Sequence, residues 1–249
     1  MAALSSSYLY GTVKNLVVRG NISIATKFAG GVAAHVYGDA RLSSVESYVN
    51  IDATIQGDGT HGGLIGVADA NTTIENCLYA GTITGASTDR CGGLVGWASS
   101  NVKIDNCLQV GTLSVLENGS NTFARNTGKV TAQNSYYTTL FNESVTGTTE
   151  VTADKLSSGE VCYLLNGSKS DAPVWFQTLG EDQLPTIVPG HGTVYNVDGK
   201  YSNSEDAIAT VNADEDASET TIYNVAGQRV AQPTKGIYIV GGRKVLYRK

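Results

Sequence analysis

Charged residues are scarce in this chain, and two other residue types are nearly missing. Asp, Glu, Lys and Arg together make up 16% of the 249 residues, and there are only 4 Pro and 1 Met. Average globular domains carry about 25% charged residues. Gly, with 29 residues, and abundant Thr, Ser, Asn and Val take their place. Because Thr and Val favour strands while Gly and Asn favour turns, the composition predicts an all-β protein.

The composition also limits the kinds of partner that we expect. The net charge is −6, and Lys and Arg form no basic stripe before the last residues, so we expect no nucleic-acid partner. No apolar run approaches the ~18–20 residues of a membrane span. Residues 1–5 lack the basic start and apolar stretch of a signal peptide, so if the protein is exported we expect its leader, and further repeats, to lie upstream of this sequence.

Two segments of the chain are copies of each other. GGLIGVADANTTIENCLYAGTIT begins at Gly62, and GGLVGWASSNVKIDNCLQVGTLS begins at Gly92, an offset of 30 residues with no gap. A fixed period of this length indicates a repeat architecture. The positions that define the repeat are Gly62, Gly63, Leu64, Gly66, Ile74 and Cys77 in the first copy and Gly92, Gly93, Leu94, Gly96, Ile104 and Cys107 in the second.

Weaker copies flank these two segments. GGVAAHVYG begins at Gly30, and the second half of the unit recurs around it. The alignment that we predict treats Val13, Val45, Ile74, Ile104 and Ala132 as equivalent, with spacings of 32, 29, 30 and 28 residues. A unit of two or three short strands cannot bury its own apolar face, so we predict that successive units stack as a β-solenoid. Propeller blades are the alternative.

The pattern within one unit predicts which side chains face the interior. Ile74, Leu78, Ala80 and Ile83 are expected inside, whereas the variable Tyr79 and its counterpart Gln109 are expected outside. Stacked copies place identical residues side by side, so Cys77 should adjoin Cys107. A pair of buried thiols is the favoured interpretation of these two residues, and a disulfide is the alternative.

The repeat resembles a known motif. GGLIG and GGLVG, each followed by Ile-x-Asn-Cys and a Gly-Thr step, resemble the GLUG motif of tandem repeats in large secreted and surface proteins of bacteria. The resemblance covers roughly residues 12–141 and is weaker at both ends, where GGVAAHVYG and Asn121-Thr122-Phe123-Ala124 depart from the pattern. It implies that residues 1–141 form the repeat domain of an exported protein.

Residues 142–200 depart from the repeat. Ser157 or Ser158 as N-cap, an apolar run to Leu165 and a stop at Asn166-Gly167 predict one short helix. We expect Leu165, Trp175 and Phe176 to cover the last open coil. A sugar-stacking platform is the alternative for this aromatic cluster.

The last residues form two further segments. Residues 201–220 are polar and acidic and are predicted to be a linker. Residues 221–249 contain IYNVAGQRV, KGIYIV and RKVLYRK, which predict strands around Gly-containing turns. They resemble the C-terminal sorting domain of the type IX secretion system of the Bacteroidetes. The matching positions are Gly227, Gln228 and Arg229 in the first element and Gly236, Ile237 and Tyr238 in the second.

That resemblance implies that the tail directs the chain to the secretion machinery and that the protein is secreted or displayed on the outer membrane. A small β module without a sorting role is the alternative.

Residues typical of catalysis or metal binding occur without the spacing that either requires. The four cysteines form no C-x-x-C pair, no Gly-x-Ser-x-Gly elbow is present, and no Gly-Lys-Ser/Thr follows the Gly-rich runs. His35, His61 and His191 are expected to be ordinary surface or turn residues. We therefore predict no enzymatic activity, cofactor or metal site.

One catalytic alternative remains. If Asp58, Asp69, Asp89 and Arg90 converged in the fold, they could act on a polysaccharide. The favoured function is instead a secreted or cell-surface solenoid that adheres to extracellular glycans or proteins, and a structural stalk within a larger exported polypeptide is the second alternative.

Overall fold

Short runs rich in β-branched residues, divided by Gly, Asn and Asp, form parallel strands over residues 8–150. The computed structural model describes residues 8–167, 173–197, 200–202, 222–225, 227–240 and 243–247. The chain divides into two compact units, Met1–Ser204 and Glu205–Lys249. In the first unit the strands stack as a β-solenoid of about four coils with ~30-residue spacing. This confirms the predicted architecture.

The first two coils consist mainly of long bent strands, whereas later coils are divided into short strands at their corners. A 3-10 turn, Thr127–Lys129, precedes the last coil. The strands of the solenoid are β1 Tyr8–Ile24, β2 Ala33–Ala53, β3 Gly57–Asp58, β4 Ile65–Ala68, β5 Thr72–Tyr79, β6 Thr82–Gly85, β7 Thr88–Asp89, β8 Val95–Ala98, β9 Val102–Asp105, β10 Leu108–Gln109, β11 Thr112–Val115, β12 Val130–Gln133, β13 Ser135–Tyr137 and β14 Thr148–Glu150.

Stacking brings repeat-equivalent residues together. Ile74 pairs with Ile104, and Leu78 pairs with Leu108, which sets Cys107 beside Cys77 as predicted. All four cysteines are free and buried. Burial, together with the adjacent Cys77 thiol, raises the pKa of Cys107 well above its ordinary value.

The alignment of the second coil is corrected by three residues. Val45 pairs with Cys77, whereas Leu42 pairs with Ile74 on one side and with Val13 on the other. Apolar residues occupy both places, so the sequence pattern alone did not distinguish them. The column that contains Ile74 therefore contains Leu42 and not Val45.

A left-handed corner changes which side chains face inward. The backbone of Asn76 has φ 51°, and Asn15, Ser44, Asn106 and Asn134 adopt similar angles in the other coils. Asn tolerates this conformation better than most residues. Because such a residue interrupts the two-residue alternation of a strand, the orientations after it are shifted.

The expected orientations of Leu78, Tyr79 and Gln109 are consequently wrong. Tyr79 and Gln109 are almost completely buried, with exposures of 0% and 1%. Tyr79 lies in the solenoid interior, where its hydroxyl donates to the carbonyl of Val49. Leu78 instead belongs to a second apolar cluster outside the coil wall.

The paired glycines are required by close backbone contacts rather than by positive φ. A Cβ on Gly62 would lie 2.0 Å from the carbonyl oxygen of Ile65, and one on Gly63 would lie 2.3 Å from that of Gly93. Bridges join Gly62 to Gly30 and Gly92, and Gly92 to Asn121. The degenerate first and last copies therefore belong to the same column as the two clear ones.

Residues 151–167 and 173–197 lie against the side of the solenoid. They form α1 Ala153–Ser157, α2 Glu160–Leu165 and β15 Tyr195–Val197, which pairs with β16 Lys200–Ser202. The predicted helix is α2, with Gly159 as N-cap, and α1 is additional, with Thr152 as N-cap. The hydroxyl of Thr152 accepts a hydrogen bond from the Lys155 N–H.

This lateral segment, residues 151–167 and 173–197, covers a different surface from the one expected. Trp175 and Leu165 pack with Leu78, Leu108 and Tyr136, which form an outward column on three successive coils. The lateral segment therefore lies along the coils instead of sealing the last one. Trp175 is 0% exposed, which contradicts a sugar-stacking role for its ring.

A buried carboxylate also joins the lateral segment to the second coil. Glu46 is 1% exposed. It accepts hydrogen bonds from the Thr186 hydroxyl at 2.6 Å, the Ile187 N–H at 2.7 Å and the Tyr48 hydroxyl at 3.0 Å. We call these contacts the Glu46 latch.

The second unit contains a three-stranded antiparallel sheet, β17 Ile222–Asn224, β18 Gly236–Val240 and β19 Arg243–Tyr247. Gly227 has φ 76° in the turn after β17, and Arg229 bridges back to Tyr223. The predicted strands and turn are therefore present. Most of the acidic stretch at 201–220 lies outside the described residues.

Candidate functional site

The repeat residues that the sequence singled out form the scaffold rather than a site. Leu64, Ile74, Leu94 and Ile104 have no exposed surface, and both Cys77 and Cys107 are buried with them. A surface site must therefore come from positions that differ between coils. Such a site lies where the corner before each glycine pair meets the outer face of β4 and β8.

A groove of about 440 Å³ lies at this junction, and we call it the corner groove. Its floor comes from the stacked strands that follow the glycine pairs. Its rim comes from the corners and from Arg125, which follows Ala124, the residue that bridges to Val95. The floor residues are His35, Val67, Asp69, Trp97 and Ser99, and the rim residues are Lys27, Phe28, Asp58, Thr60, Arg90 and Arg125.

The rim has a left-handed backbone in every coil. Phe28, Thr60 and Arg90, each two residues before a glycine pair, have φ of 69°, 47° and 54°, and Gly119 occupies the same place in the next coil at 64°. A positive φ is costly for side chains such as those of Thr and Phe and tends to occur at functional sites. The corner therefore directs three unlike side chains to one edge of the groove.

Trp97 is the main apolar surface of the floor. It pairs with Val67, which pairs with His35, so the three residues form one column along the solenoid axis. The Arg125 guanidinium carbon lies 4.9 Å from the centre of the Trp97 ring. The ring is 37% exposed and held in place from one side.

A second aromatic group lies at the other end of this column. The ring of His35 stacks on Tyr37 at 5.3 Å and meets Phe28 edge to face at 4.7 Å. Tyr37 is 49% exposed. The His35 Nδ1 atom lies 3.4 Å from Asp69 Oδ2. Aromatic surface is thus present on two coils separated by one intervening coil.

Arg125 organises the polar rim. Its guanidinium donates to the carbonyl of Arg90 at 2.7 Å, to the carbonyl of Gly96 and to the Thr60 hydroxyl. Thr60 in turn donates to Asp58 Oδ1 at 2.6 Å, and Lys27 forms an ion pair with Asp58 Oδ2 at 2.6 Å. The network links four coils.

This network keeps Asp58 ionised. Burial alone raises the pKa of its carboxyl group, but hydrogen bonds from Lys27 and Thr60 and the charges of Lys27 and Arg125 outweigh burial, so the pKa lies below its ordinary value. A carboxyl group of this kind holds a ligand hydroxyl as an acceptor but is unsuited to donate a proton near neutral pH.

The residues of the catalytic alternative converge only in part. Asp58, Asp69 and Arg90 line the corner groove together. Asp89 is 6% exposed, and its Oδ2 atom accepts a hydrogen bond from Asn118 at 2.8 Å, so it is buried at the corner rather than open to the groove. Within the part of the chain that the structure describes, no three His, Cys, Asp or Glu side chains are grouped to hold a metal ion.

The histidines differ from one another. His35 lines the corner groove, and His191 is 2.7 Å from Asp182 on the surface of the lateral segment. His61 lies in the corner loop but has no exposed surface, so it is not a surface residue. It occupies the interior position directly before Gly62.

Sequence reasoning missed Lys27, Trp97 and Arg125 as groove residues. Trp97 differs from its counterpart Val67, and Arg125 follows a copy without a glycine pair. Because repeat analysis emphasises what the copies share, only the departure of a large exposed aromatic from the repeat could have indicated this site.

No family model matches the chain, and neither the curated proteins nor the solved structures contain a significant match. Among the described residues, no helix is long and apolar enough to cross a membrane.

Proposed function

We propose that this chain is a secreted or cell-surface binding module that adheres to extracellular glycans through the corner groove. The observation that carries the proposal is the exposed Trp97 ring, which lies among ionised and hydroxyl-bearing side chains. Sugars present apolar C–H faces and hydroxyl groups, so they suit an aromatic surface surrounded by fixed donors and acceptors. Export is supported by the resemblance of residues 221–249 to a type IX sorting domain, whose matching positions are Gly227–Arg229 and Gly236–Tyr238.

A glycan array probed with the full chain tests this function. We expect binding to a subset of glycans and a loss of about tenfold in affinity for Trp97→Ala, because stacking on the ring contributes about 1–2 kcal/mol. Tyr10→Ala is the matched control, since Tyr10 is an aromatic residue on β1, outside the groove, that is 68% exposed. Silence of the natively folded chain on the array contradicts glycan binding and favours the structural stalk.

The polysaccharide-acting enzyme remains a second candidate because Asp58 and Asp69 share the groove. Paired carboxylates are the usual catalytic groups of glycoside hydrolysis. Incubating each bound glycan with the chain and measuring product length separates the two functions. Intact glycans support a binding module, whereas shortened products that disappear in Asp69→Asn support the enzyme.

A further inference from the structure

We infer that the glycan held in the corner groove carries an anionic group, a carboxylate or a sulfate, which Arg90 binds while a neighbouring sugar stacks on Trp97. This inference rests on the proposed glycan binding and specifies the chemical class of the ligand.

The charge of the groove differs from that of the whole chain. Lys27, Arg90 and Arg125 line it, against Asp58 and Asp69, and the buried Asp89 beside Arg90 brings its formal charge to zero. The chain as a whole has a net charge of −6. An anionic ligand is therefore repelled less in the groove than by the surface as a whole.

Two of the three cations already have partners at short distance. Lys27 forms its ion pair with Asp58 at 2.6 Å. Arg125 has a side chain that is 10% exposed and donates to three oxygen atoms of the protein. These residues shape the groove, and Lys27 Nζ and Arg125 Nη1 are already bound within the protein.

Arg90 is as exposed as Lys27 and differs from both cations in having no partner at short distance among the described residues. Its side chain is 42% exposed, and its guanidinium lies 3.5 Å from Asp89 Oδ1. Charge-assisted N–H···O bonds are usually about 2.7–2.9 Å long, so this contact is a loose one. Asp89 lies buried at the corner and is held by Asn118. The Arg90 fork is therefore available to bind a planar carboxylate or a sulfate at the groove rim.

The position of Arg90 is fixed in advance. Its backbone has φ 54°, its carbonyl accepts from Arg125 at 2.7 Å, and its N–H donates to the carbonyl of Asn118. The same Arg125 lies over the Trp97 ring. The Arg125 guanidinium thus holds both Arg90, which binds the anion, and Trp97, on which the sugar stacks. Because both residues are already in place, binding costs less conformational entropy.

The column of His35, Val67 and Trp97 defines the line along which a bound glycan runs. Adjacent coils are about 4.8 Å apart, so Trp97 and His35 lie roughly 10 Å apart along the axis. That length suits a disaccharide. A linear glycan aligned with the solenoid axis therefore places successive sugars over successive coils.

Isothermal titration of the full chain with two matched ligand pairs tests the inference. The first pair is oligogalacturonate and its methyl ester, which differ in the carboxylate charge. The second pair is dextran sulfate and dextran, which differ in sulfate. We expect at least one anionic member to bind tenfold or more tightly than its neutral partner, and the pair that does so identifies the anionic group.

Arg90→Gln should weaken binding of the anionic member by about tenfold, the loss of one charge-assisted contact, and should affect binding of the neutral member much less. Lys14→Gln, which removes an exposed cation of β1, is the matched control and should bind as the parent chain does. Equal affinity for both members of each pair, or an anionic affinity that Arg90→Gln does not alter, overturns the anionic ligand while glycan binding on the array stands. Failure of every probe together with a silent array overturns both proposals.

Discussion

His61 is an imidazole enclosed in the solenoid. Its Nδ1 atom accepts a hydrogen bond from the Ala29 N–H at 3.1 Å, so the proton of the neutral ring belongs on Nε2. That Nε2 atom is buried without a hydrogen-bond partner among the described residues. Burial lowers the pKa of His61 to about 4, although the charge of Asp58 opposes the effect.

This burial predicts a loss of stability in mild acid. The unfolded chain takes up a proton near the ordinary His value of ~6.5, whereas the folded chain does so only near pH 4, so the unfolded state binds more protons between these values. Stability is therefore complete above about pH 6.5 and falls as the pH is lowered toward 4, by about 3 kcal/mol at most. Urea unfolding at a series of pH values measures it.

His61→Asn keeps an acceptor near the Nδ1 position for the Ala29 N–H but does not titrate, so its unfolding free energy should vary less between pH 6.5 and 4. His191→Asn is the control, because His191 is a partly exposed histidine of the lateral segment. If His61→Asn shows the same decline as the parent chain, another group is responsible for it.

At the scale of elements, the lateral segment depends on two kinds of contact with the coils. Its apolar side chains cover Leu78, Leu108 and Tyr136, and the Glu46 latch adds hydrogen bonds to a buried carboxylate. Removing one partner of a buried charge leaves a desolvation cost that nothing offsets. The latch should therefore control how often the lateral segment opens.

Thr186→Val removes the shortest hydrogen bond of the latch and keeps the shape of the side chain. We expect a loss of about 2 kcal/mol, the usual cost of a hydrogen bond to a charged group. Hydrogen–deuterium exchange should accelerate in residues 153–166 and 175–187 and remain slow in the solenoid interior. Thr131→Val, an exposed position of β12, is the control. Uniform acceleration over the whole unit would show that the lateral segment does not open separately.

The strands and helices were more predictable from the sequence than the directions in which their side chains face. Two ungapped copies specified the stacking of Ile74 on Ile104 because a solenoid repeats its sequence with its geometry. The orientation of Leu78 was not predictable by alternation, since the left-handed Asn76 interrupts it. The lateral segment was also assigned to the wrong surface, because an apolar helix next to a repeat fits either its end or its side.

At the scale of the whole molecule, the stacked coils and the lateral segment enclose every thiol. Cys77, Cys91 and Cys107 lie in the solenoid interior, and Cys162 lies under the lateral segment. Burial raises the pKa of Cys91 to about 11 and that of Cys162 to about 12. Because the thiolate is the reactive form, all four should be inert in the native protein.

We expect a thiol-reactive dye to label none of the cysteines in native buffer near pH 7.5 and four per chain in guanidinium chloride. The labelling rate should follow global unfolding. Rapid native labelling would contradict the packing of the coils, and fewer than four labels after unfolding would reveal a disulfide.

The corner groove is also a property of the whole solenoid, since it forms only when several coils stack. The sequence did not predict it for that reason. Lys27, Asp58, Arg90 and Arg125 come from four coils and share no motif. The stacking of the coils brings these side chains together. They occupy positions at which the repeat copies have different residues. Asp58, Asp69 and Arg90 were grouped as one possibility, but the central Trp97 was not among them.

The left-handed corner before each glycine pair has a consequence for how such a protein can evolve. Phe28, Thr60, Arg90 and Gly119 occupy the same backbone conformation although their side chains have little in common. Neighbouring strands hold that conformation, so a point mutation there changes the side chain presented at the surface and leaves the framework in place. Lineages that inherit this scaffold can therefore vary this surface one corner at a time.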